Sequence, residues 1–294
     1  MPQLLLTVED YRKLVDKYDT FLFDCDGVIW LGTTIIEGVK ESIAFLKSQN
    51  KRVVFVTNNS TISRKEYSKK FAGFGMSISK EEIFSSSHAT AVHLKNIVKF
   101  SPDKKVFVVG GQGVKDELHL ANIRFCNKET SALKKPADYK EFVNDPEVGA
   151  VICGLDRDIN YAKLSIAHLY LTLNKDCLFI ATNNDSTYPV GDFNLPGAGS
   201  ILSVLETSTK RVPTIVGKPY KTLFDCISAD YHIEKSRTIM VGDRLNTDVQ
   251  FGINSGIDTL IVFTGITSEH EAMDPNSTQA TYAMTSFGEI SKLA

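Results

Sequence analysis

Short apolar runs rich in valine, isoleucine and phenylalanine alternate with helix-like patterns along nearly the whole chain. Most runs are followed by Gly, Asn or Asp before a helical pattern begins, as over Val39–Ser48 and Arg64–Phe74. Continuously apolar strands that alternate with helices predict an α/β fold with a parallel sheet covered on both faces. The runs are Phe21–Phe23, Val53–Val56, Val106–Val109, Ala150–Ile152, Leu178–Ile180, Ile215–Val216, Ile239–Val241 and Leu260–Val262.

Composition excludes several classes of protein. The 294 residues are 43% hydrophobic, which is ordinary for a globular enzyme of one large or two modest domains. The net charge of −2 provides no basic field to attract nucleic acid or an anionic membrane. No apolar run approaches the roughly 18–20 residues that span a bilayer. Five cysteines without a Cys-x-x-Cys pair, and no secretory h-region in Met1–Asp10, predict a cytoplasmic protein without disulfides or zinc.

Polar residues directly after the strands are candidates for the functional site, because ligands bind beyond the carboxyl ends of parallel strands. Asp24 and Asp26 follow the first run in the sequence Phe-Asp-Cys-Asp-Gly-Val. Two carboxylates this close are costly to desolvate without a cation, and Mg²⁺ accepts carboxylate and carbonyl oxygens. One could attack phosphorus while the other acts as general acid and base. An ordinary turn at a strand end is the structural alternative.

Two further segments could bind phosphate. Thr57, Asn58 and Asn59 offer a hydroxyl, amides and backbone N–H groups at a strand-to-helix junction, although Asn59 or Ser60 could simply cap the helix. Lys218 lies between Gly and Pro at another strand end, where its ammonium group could neutralise phosphate. Taken alone, such a lysine is more often a solvated surface residue.

A second acidic pair follows the run Ile239–Val241. Asp243 could complete a metal shell, and Asp248, five residues on, could hold Asp243 or Lys218 in place. The structural alternative for Asp248 is stabilisation of a helix N-terminus. The four segments therefore place acids, amides and one lysine at successive predicted strand ends.

In their order and spacing, these segments resemble the four motifs of the haloacid dehalogenase (HAD) superfamily. The phrases FDCDGVIW (23–30), VTNNST (56–61), GKP (217–219) and GDRLNTD (242–248) are similar to those of its p-nitrophenyl phosphatase, phosphoglycolate phosphatase and pyridoxal phosphatase branch. The resemblance extends over nearly the whole chain. It implies a Rossmann-like catalytic core, 1–100 and 214–294, and a large inserted α/β cap domain of the C2 type, 101–213.

The resemblance also implies a role for each motif residue. Asp24 is expected to become a phosphoaspartate, and Asp26 to protonate the leaving group and then activate water. Mg²⁺ is expected to bind Asp24, Asp26 through its carbonyl group, and Asp243, with Asp248 in support. The residues expected to bind the phosphoryl group are Thr57, Asn58, Asn59 and Lys218.

The cap is expected to select the substrate and to mediate a homodimer. Ala181–Pro189 resembles the substrate-specificity loop of the branch, and Tyr188 stands where pyridoxal phosphatases carry histidine. That departure argues against a dedicated vitamin B6 phosphatase. The resemblance implies small phosphorylated metabolites as substrates: 2-phosphoglycolate, 2-phospholactate or 4-phosphoerythronate, with p-nitrophenyl phosphate in vitro. Neither nucleic acid nor a membrane is expected as a partner.

Other functions fit the sequence less well. The sequence GGQG (110–113) after a strand is reminiscent of a dinucleotide-binding turn, but Asp116 stands where the third glycine belongs. A dehalogenase of the superfamily would not need Asp26 as an acid, and a P-type ATPase would be far longer. A catalytically silent scaffold or binding protein predicts the loss of a motif residue, and Asp24, Asp26, Lys218 and Asp243 are all present.

Overall fold

The computed structural model of the protein describes residues 1–126, 135–191 and 193–294. They form two compact units. The first unit comprises Met1–Thr57, Lys65–Phe84 and Lys218–Ala294, and the second comprises Asn58–Arg64 and Ser85–Gly217. The cap at 101–213 remains a prediction. The second unit is longer than that range and includes the short segment that follows Thr57.

The strands are β1 (Gln3–Leu4), β2 (Thr20–Phe23), β3 (Trp30–Leu31), β4 (Thr34–Ile35), β5 (Arg52–Thr57), β6 (Ile83–Ser85), β7 (Lys105–Val109), β8 (Phe125–Cys126), β9 (Val148–Cys153), β10 (Leu178–Ala181), β11 (Thr187–Val190), β12 (Phe193–Pro196), β13 (Thr214–Ile215), β14 (Thr238–Gly242), β15 (Asp258–Val262) and β16 (Tyr282–Met284).

The α-helices are α1 (Val8–Lys17), α2 (Val39–Ser48), α3 (Arg64–Gly73), α4 (Ser86–Val92), α5 (Gln112–Leu120), α6 (Tyr161–Leu173), α7 (Ala198–Thr209), α8 (Lys221–Asp230), α9 (Gln250–Ser255) and α10 (Glu269–Met273). Short 3₁₀ helices span Lys80–Glu82, Pro136–Glu141, Lys235–Arg237 and Phe287–Leu293, and π-helical turns span His93–Ile97 and Leu245–Val249.

In the sheet of the first unit, the strands that precede the candidate site residues end at the same edge. Its strand order is β1-β16-β15-β14-β2-β5-β6, and β2 runs parallel to both β14 and β5. Phe23, near the end of β2, lies in register with Val241 of β14 and Phe55 of β5. All three are buried, and Phe287 packs edge-on against Phe23 with ring centroids 4.7 Å apart. The residues that follow these strands therefore leave the same edge of the sheet.

The second unit contains its own parallel sheet, in the order β13-β10-β9-β7-β8. Helices α6 and α7 contribute Ile166, Leu202 and Leu205 to the buried core with residues of β7, β9 and β10. An antiparallel hairpin, β11–β12, pairs Tyr188 with Leu195. Its first strand includes Thr187–Pro189, the last three residues of the predicted specificity loop, and the hairpin was not expected from the sequence.

The α/β class and the parallel sheet predicted from the sequence are confirmed. Every predicted apolar run contributes to a strand, and the helix predicted over Val39–Ser48 has those bounds. The helix predicted over Arg64–Phe74 ends one residue earlier, at Gly73. In the described part of the chain, no helix has both the length and the apolar character needed to cross a membrane.

Candidate active site

Three carboxylates converge in the first unit. Asp24 directly follows β2, Asp243 directly follows β14, and Asp248 lies in the π-helical turn after β14. One oxygen from each group lies within 4.8 Å of the other two. Like charges this close repel strongly in a partly buried setting, so the cluster requires compensating cations.

Lys218 supplies one cation. Its Nζ lies 2.8 Å from Asp24 Oδ1 and 2.8 Å from Asp248 Oδ1, and it donates a hydrogen bond of 3.0 Å to the carbonyl oxygen of Val56. The side chain is only 2% exposed, so Lys218 is not a solvated surface lysine. Burial alone would lower the pKa of this amine, but the Asp24 and Asp248 carboxylates outweigh burial and the pKa is raised. The lysine is therefore held in its charged form.

Asp243 is confined by backbone. A Cβ at Gly27 or Gly265 would lie 2.3 or 2.0 Å from Asp243 Oδ2, so only glycine admits the carboxylate at these positions. Oδ2 accepts a 2.9 Å hydrogen bond from the N–H of Ile266. Oδ1 is buried and has no hydrogen-bond partner among the described residues. Burial, followed by the charges of Asp248 and Asp24, raises the pKa of Asp243 to about 7.

The acidic triad therefore suits a divalent cation. Asp24, Asp243 and Asp248 provide the oxygen donors that hard cations prefer, and an unpaired buried carboxylate oxygen is costly unless a proton or a cation compensates it. Burial also raises the pKa of Asp248 despite the nearby Lys218. These three residues could hold a divalent metal, and its positive charge would favour the ionised forms of Asp243 and Asp248.

Asp26 is suited to proton transfer. Its side chain is exposed, yet the surrounding protein desolvates the carboxyl group enough to raise its pKa, and the charge of Asp24 adds to this effect. Trp30 Nε1 donates a 2.8 Å hydrogen bond to Asp26 Oδ1 and fixes its orientation. Cys25, between the two aspartates, is fully buried, and burial raises the pKa of its thiol well above the usual range. Cys25 is therefore a packing residue.

The predicted phosphate-binding segment is divided between the two units. Thr57 ends β5 in the first unit, where it is buried and its Oγ1 lies 3.4 Å from Tyr67 Oη. Asn58 and Asn59 belong to the second unit. Asn59 Oδ1 accepts hydrogen bonds from Thr61 N and Oγ1, at 2.9 and 2.7 Å, so its side chain stabilises a local turn rather than capping α3.

The second unit also contains the predicted specificity loop. Asn58 Nδ2 donates to both carboxylate oxygens of Asp185 at 3.1–3.2 Å. Tyr188 is half-buried on β11, and Arg157 Cζ lies 5.7 Å from its ring centroid. Neither Asp185 nor Arg157 was predicted from the sequence as a site residue. Asp185 lies inside the quoted loop and could have been singled out, whereas no motif marks Arg157.

Comparison with known proteins identifies the family. The haloacid dehalogenase-like hydrolase model matches residues 21–124, and a HAD-hydrolase-like model matches residues 215–290. Phosphoglycolate phosphatase 2 of Arabidopsis thaliana is 45% identical over 299 residues, which cover 100% of this chain and 99% of that protein. The chain belongs to the haloacid dehalogenase-like hydrolase family. The 4-nitrophenylphosphatase of Schizosaccharomyces pombe is 39% identical over 94% of each chain.

A solved structure of a 4-nitrophenylphosphatase has the same fold. The 4-nitrophenylphosphatase of Thermotoga maritima superimposes with a TM-score of 0.80 and 31% identity, covering 95% of this chain and 98% of that one. The resemblance inferred from the motifs is thus confirmed. This HAD protein is an enzyme, a phosphoric monoester hydrolase.

Proposed function

We propose that this HAD phosphatase is a Mg²⁺-dependent phosphomonoesterase of small phosphorylated metabolites that acts through a phosphoaspartate. The observation that carries the proposal is the buried contact of Lys218 with Asp24 at the edge where Asp243 also lies. That contact holds the Asp24 carboxylate in place, and a nucleophile must be fixed in position. Two relatives named above are a phosphoglycolate phosphatase and a 4-nitrophenylphosphatase.

In the first chemical step, an oxygen of the Asp24 carboxylate attacks phosphorus. The bond between phosphorus and the oxygen of the organic group breaks, and protonated Asp26 gives its proton to that oxygen. Its raised pKa supports this role, because a general acid must carry a proton near the working pH. The products of the step are an alcohol and the aspartyl phosphate on Asp24.

In the second step, ionised Asp26 accepts a proton from water while the water oxygen attacks phosphorus. The bond between phosphorus and Asp24 breaks, inorganic phosphate leaves, and both carboxyl groups return to their initial states. The hydrogen bond from Trp30 keeps the Asp26 carboxyl group oriented in both steps. Lys218 holds Asp24 and balances negative charge on the phosphoryl group.

The metal is proposed to bind the carboxylates of Asp24 and Asp243 and the carbonyl oxygen of Asp26. Asp248 is assigned a supporting role, because Lys218 and the N–H of Arg244, at 2.8 and 3.1 Å, already engage its carboxylate. When bound, Mg²⁺ would neutralise charge on the phosphoryl oxygens and on the acidic cluster.

The remaining assignments concern substrate recognition. Thr57, Asn58 and Asn59 are proposed to bind the phosphoryl group by hydrogen bonds, and Tyr188 to contact the organic group. The proposed substrates are 2-phosphoglycolate, 2-phospholactate and 4-phosphoerythronate, with p-nitrophenyl phosphate as an artificial one. An aromatic ring beside the Arg157 guanidinium offers both an apolar face and a positive charge, which suits small phosphorylated acids.

A homodimer formed through the proposed cap, 101–213, is also part of the proposal. Hairpin β11–β12 exposes Val190, Phe193 and Leu195, and Phe193 is 74% exposed. Such an apolar group is typical of an interaction surface. A cytoplasmic location is proposed because the five cysteines are odd in number and form no Cys-x-x-Cys pair, as expected in a reducing compartment.

The experiment measures phosphate release from p-nitrophenyl phosphate and from a panel of phosphorylated acids, with Mg²⁺ and with EDTA. We expect release that requires Mg²⁺, with the highest kcat/KM among the proposed acids. Absence of release from every substrate would support the scaffold alternative and overturn the proposal. Activity that survives EDTA would remove the metal assignment alone.

A further inference from the structure

The segment Asn58–Arg64, which carries two of the proposed phosphate-binding residues, packs against the first turn of α5 in the second unit. The N–H of Gly113 donates a 3.0 Å hydrogen bond to the carbonyl oxygen of Thr61. A Cβ built at Gly113 would lie 2.5–2.6 Å from the backbone C, N and O of Ile62. Backbone cannot move aside as a flexible side chain can, so the segment takes this path only because residue 113 is glycine.

Glu117 lies one helical turn beyond Gly113, on the same face of α5. Its side chain is fully buried, and its two carboxylate oxygens accept hydrogen bonds from Arg64 N at 2.8 Å and Arg64 Nε at 3.0 Å. His88 Nδ1 lies 3.4 Å from the same carboxylate. Burial alone would raise the pKa of Glu117, but His88 and Arg64 outweigh burial and lower it. The carboxylate is therefore ionised and fixes the end of the segment at Arg64.

The other end of the segment is held separately. The carbonyl oxygen of Asn58 accepts hydrogen bonds from Ser86 Oγ at 2.6 Å and from Asn183 Nδ2 at 2.8 Å. Asn59 lies between this anchor and the α5 contacts. A shift of Ile62 or Arg64 would therefore be transmitted to Asn59, because the turn at Thr61 joins them.

We propose that Gly113 and Glu117 are positioning residues that set the geometry of Asn58 and Asn59 for binding the phosphoryl group. This inference rests on the proposed function of these two asparagines. It gives the glycine-rich sequence 110–113 a structural role that does not involve binding a dinucleotide. Neither residue is proposed to contact substrate, so the effect should be equal for all phosphomonoesters, which share the phosphoryl group.

The first test compares Gly113→Ala with Gly110→Ala. A methyl group at Gly110 would lie 3.5 Å from side-chain atoms of Val108 and Val114 and 3.9 Å from Gly154 N. These are ordinary contacts, so this variant is a matched control in the same loop. We expect Gly113→Ala to raise KM and the inhibition constant of inorganic phosphate together, by roughly 10- to 100-fold, because displaced binding groups lose this much. Gly110→Ala should change neither constant by more than about twofold.

The second test compares Glu117→Gln with Asp156→Asn. Asp156 is also a buried carboxylate of the second unit, paired with Lys163 at 2.6 Å, but it makes no hydrogen bond to the segment. Glutamine keeps an acceptor for one Arg64 donor and loses the charge and the second acceptor. We expect Glu117→Gln to weaken inhibition by inorganic phosphate about 5- to 20-fold, and Asp156→Asn to lower thermal stability without changing this constant.

The measurements separate positioning from stability. A merely structural role would reduce the amount of active enzyme, and hence the apparent kcat, while KM and the phosphate inhibition constant of the remaining enzyme stay unchanged. That result in both Gly113→Ala and Glu117→Gln would overturn the inference while the proposed function stands. If Asn58→Ala and Asn59→Ala also leave phosphate inhibition unchanged, the proposed roles of the asparagines fail, and the inference fails with them.

Discussion

Lys218 Nζ lies 2.8 Å from Asp24 Oδ1, although the two residues are far apart in the chain. The side chain of Lys218 is almost completely buried. Asp248 shares the same ammonium group, so one buried cation serves two carboxylates. A buried ion pair is costly to desolvate, so it is stable only where its geometry is good and further hydrogen bonds satisfy the charged groups. Here the Lys218 ammonium group also donates a hydrogen bond to the carbonyl oxygen of Val56.

Replacement of Lys218 should therefore reduce both activity and stability. Lys218→Met leaves the Asp24 and Asp248 carboxylates without their cation, and breaking a buried pair of this kind costs about 3–5 kcal/mol. We expect kcat to fall at least about 100-fold and urea unfolding to shift to lower concentration. Lys221→Met is the control, because Lys221 pairs with Asp225 on an exposed helix face and should change stability by less than about 0.5 kcal/mol.

Asp24→Asn should abolish turnover and leave the fold intact. The amide has nearly the same shape as the carboxylate but is a poor nucleophile, so the rate should fall more than about 10³-fold. Acid quenching after a brief reaction with labelled substrate should trap phosphate on the unaltered protein and not on the variant. Turnover within about tenfold of the unaltered enzyme would remove Asp24 from the nucleophile role.

Asp243→Asn should stabilise the metal-free protein at high pH. Burial raises the pKa of Asp243 from 3.8 to about 7 in the folded state, so the folded protein favours the protonated carboxyl group. The stability that Asp243 contributes is therefore fully present below pH 3.8 and is lost as pH rises through about 7. In EDTA at pH 8 the variant should be more stable than the unaltered protein by about 1–3 kcal/mol. The difference should shrink towards pH 5.

Urea titrations at the two pH values measure this difference. Addition of Mg²⁺ at pH 8 should stabilise the unaltered protein and have little effect on Asp243→Asn, because a metal that binds only the folded state raises stability. Equal stabilisation of both proteins by Mg²⁺ would contradict the assignment of Asp243 as a ligand.

Metal exchange should discriminate by ion size. Mg²⁺ should activate the enzyme, EDTA should silence it, and Ca²⁺ should inhibit it in competition with Mg²⁺. The larger and less strictly octahedral coordination shell of Ca²⁺ would displace the Asp24 carboxylate from the position it needs for attack. Initial rates across a Mg²⁺ series at several Ca²⁺ concentrations test this, and full activity in Ca²⁺ alone would contradict it.

The common edge at which the strands of the first unit end could be predicted from the sequence, for a physical reason. Parallel strands end at a common edge, so Asp24, Thr57 and Asp243 could be placed together from their positions after apolar runs. Their burial and exact partners could not be predicted. Lys218 alone looked like a surface residue, and only the fold reveals that two carboxylates surround its ammonium group.

Prediction was weaker in the second unit. The grouping of Asn58 with the second unit depends on contacts with Asn183 and Asp185, more than 120 residues away, which no local pattern contains. The sequence shows a glycine at 113, but the requirement for glycine comes from the close approach of the Ile62 backbone, which only the fold reveals. Arg157 carries no motif, and its contact with Tyr188 arises only where β11 passes it.

The contact between Tyr188 and Arg157 leads to a prediction about selectivity. The core motifs act on the phosphoryl group, which every phosphomonoester shares, whereas Tyr188 is proposed to contact the organic group. Tyr188→Ala should therefore change kcat/KM unequally for 2-phosphoglycolate and p-nitrophenyl phosphate. Loss of a contact of about 1–3 kcal/mol corresponds to roughly 5- to 150-fold for the affected substrate.

Tyr188→Phe is the matched control, because it keeps the aromatic face beside Arg157 and removes only the hydroxyl group. If the ring makes the contact, Phe should retain the substrate preference that Ala loses, and Mg²⁺ should activate both variants as it activates the unaltered enzyme. The measurement is kcat/KM for the two substrates in all three proteins. Equal losses on both substrates in Tyr188→Ala would show that Tyr188 supports the hairpin rather than selects the substrate.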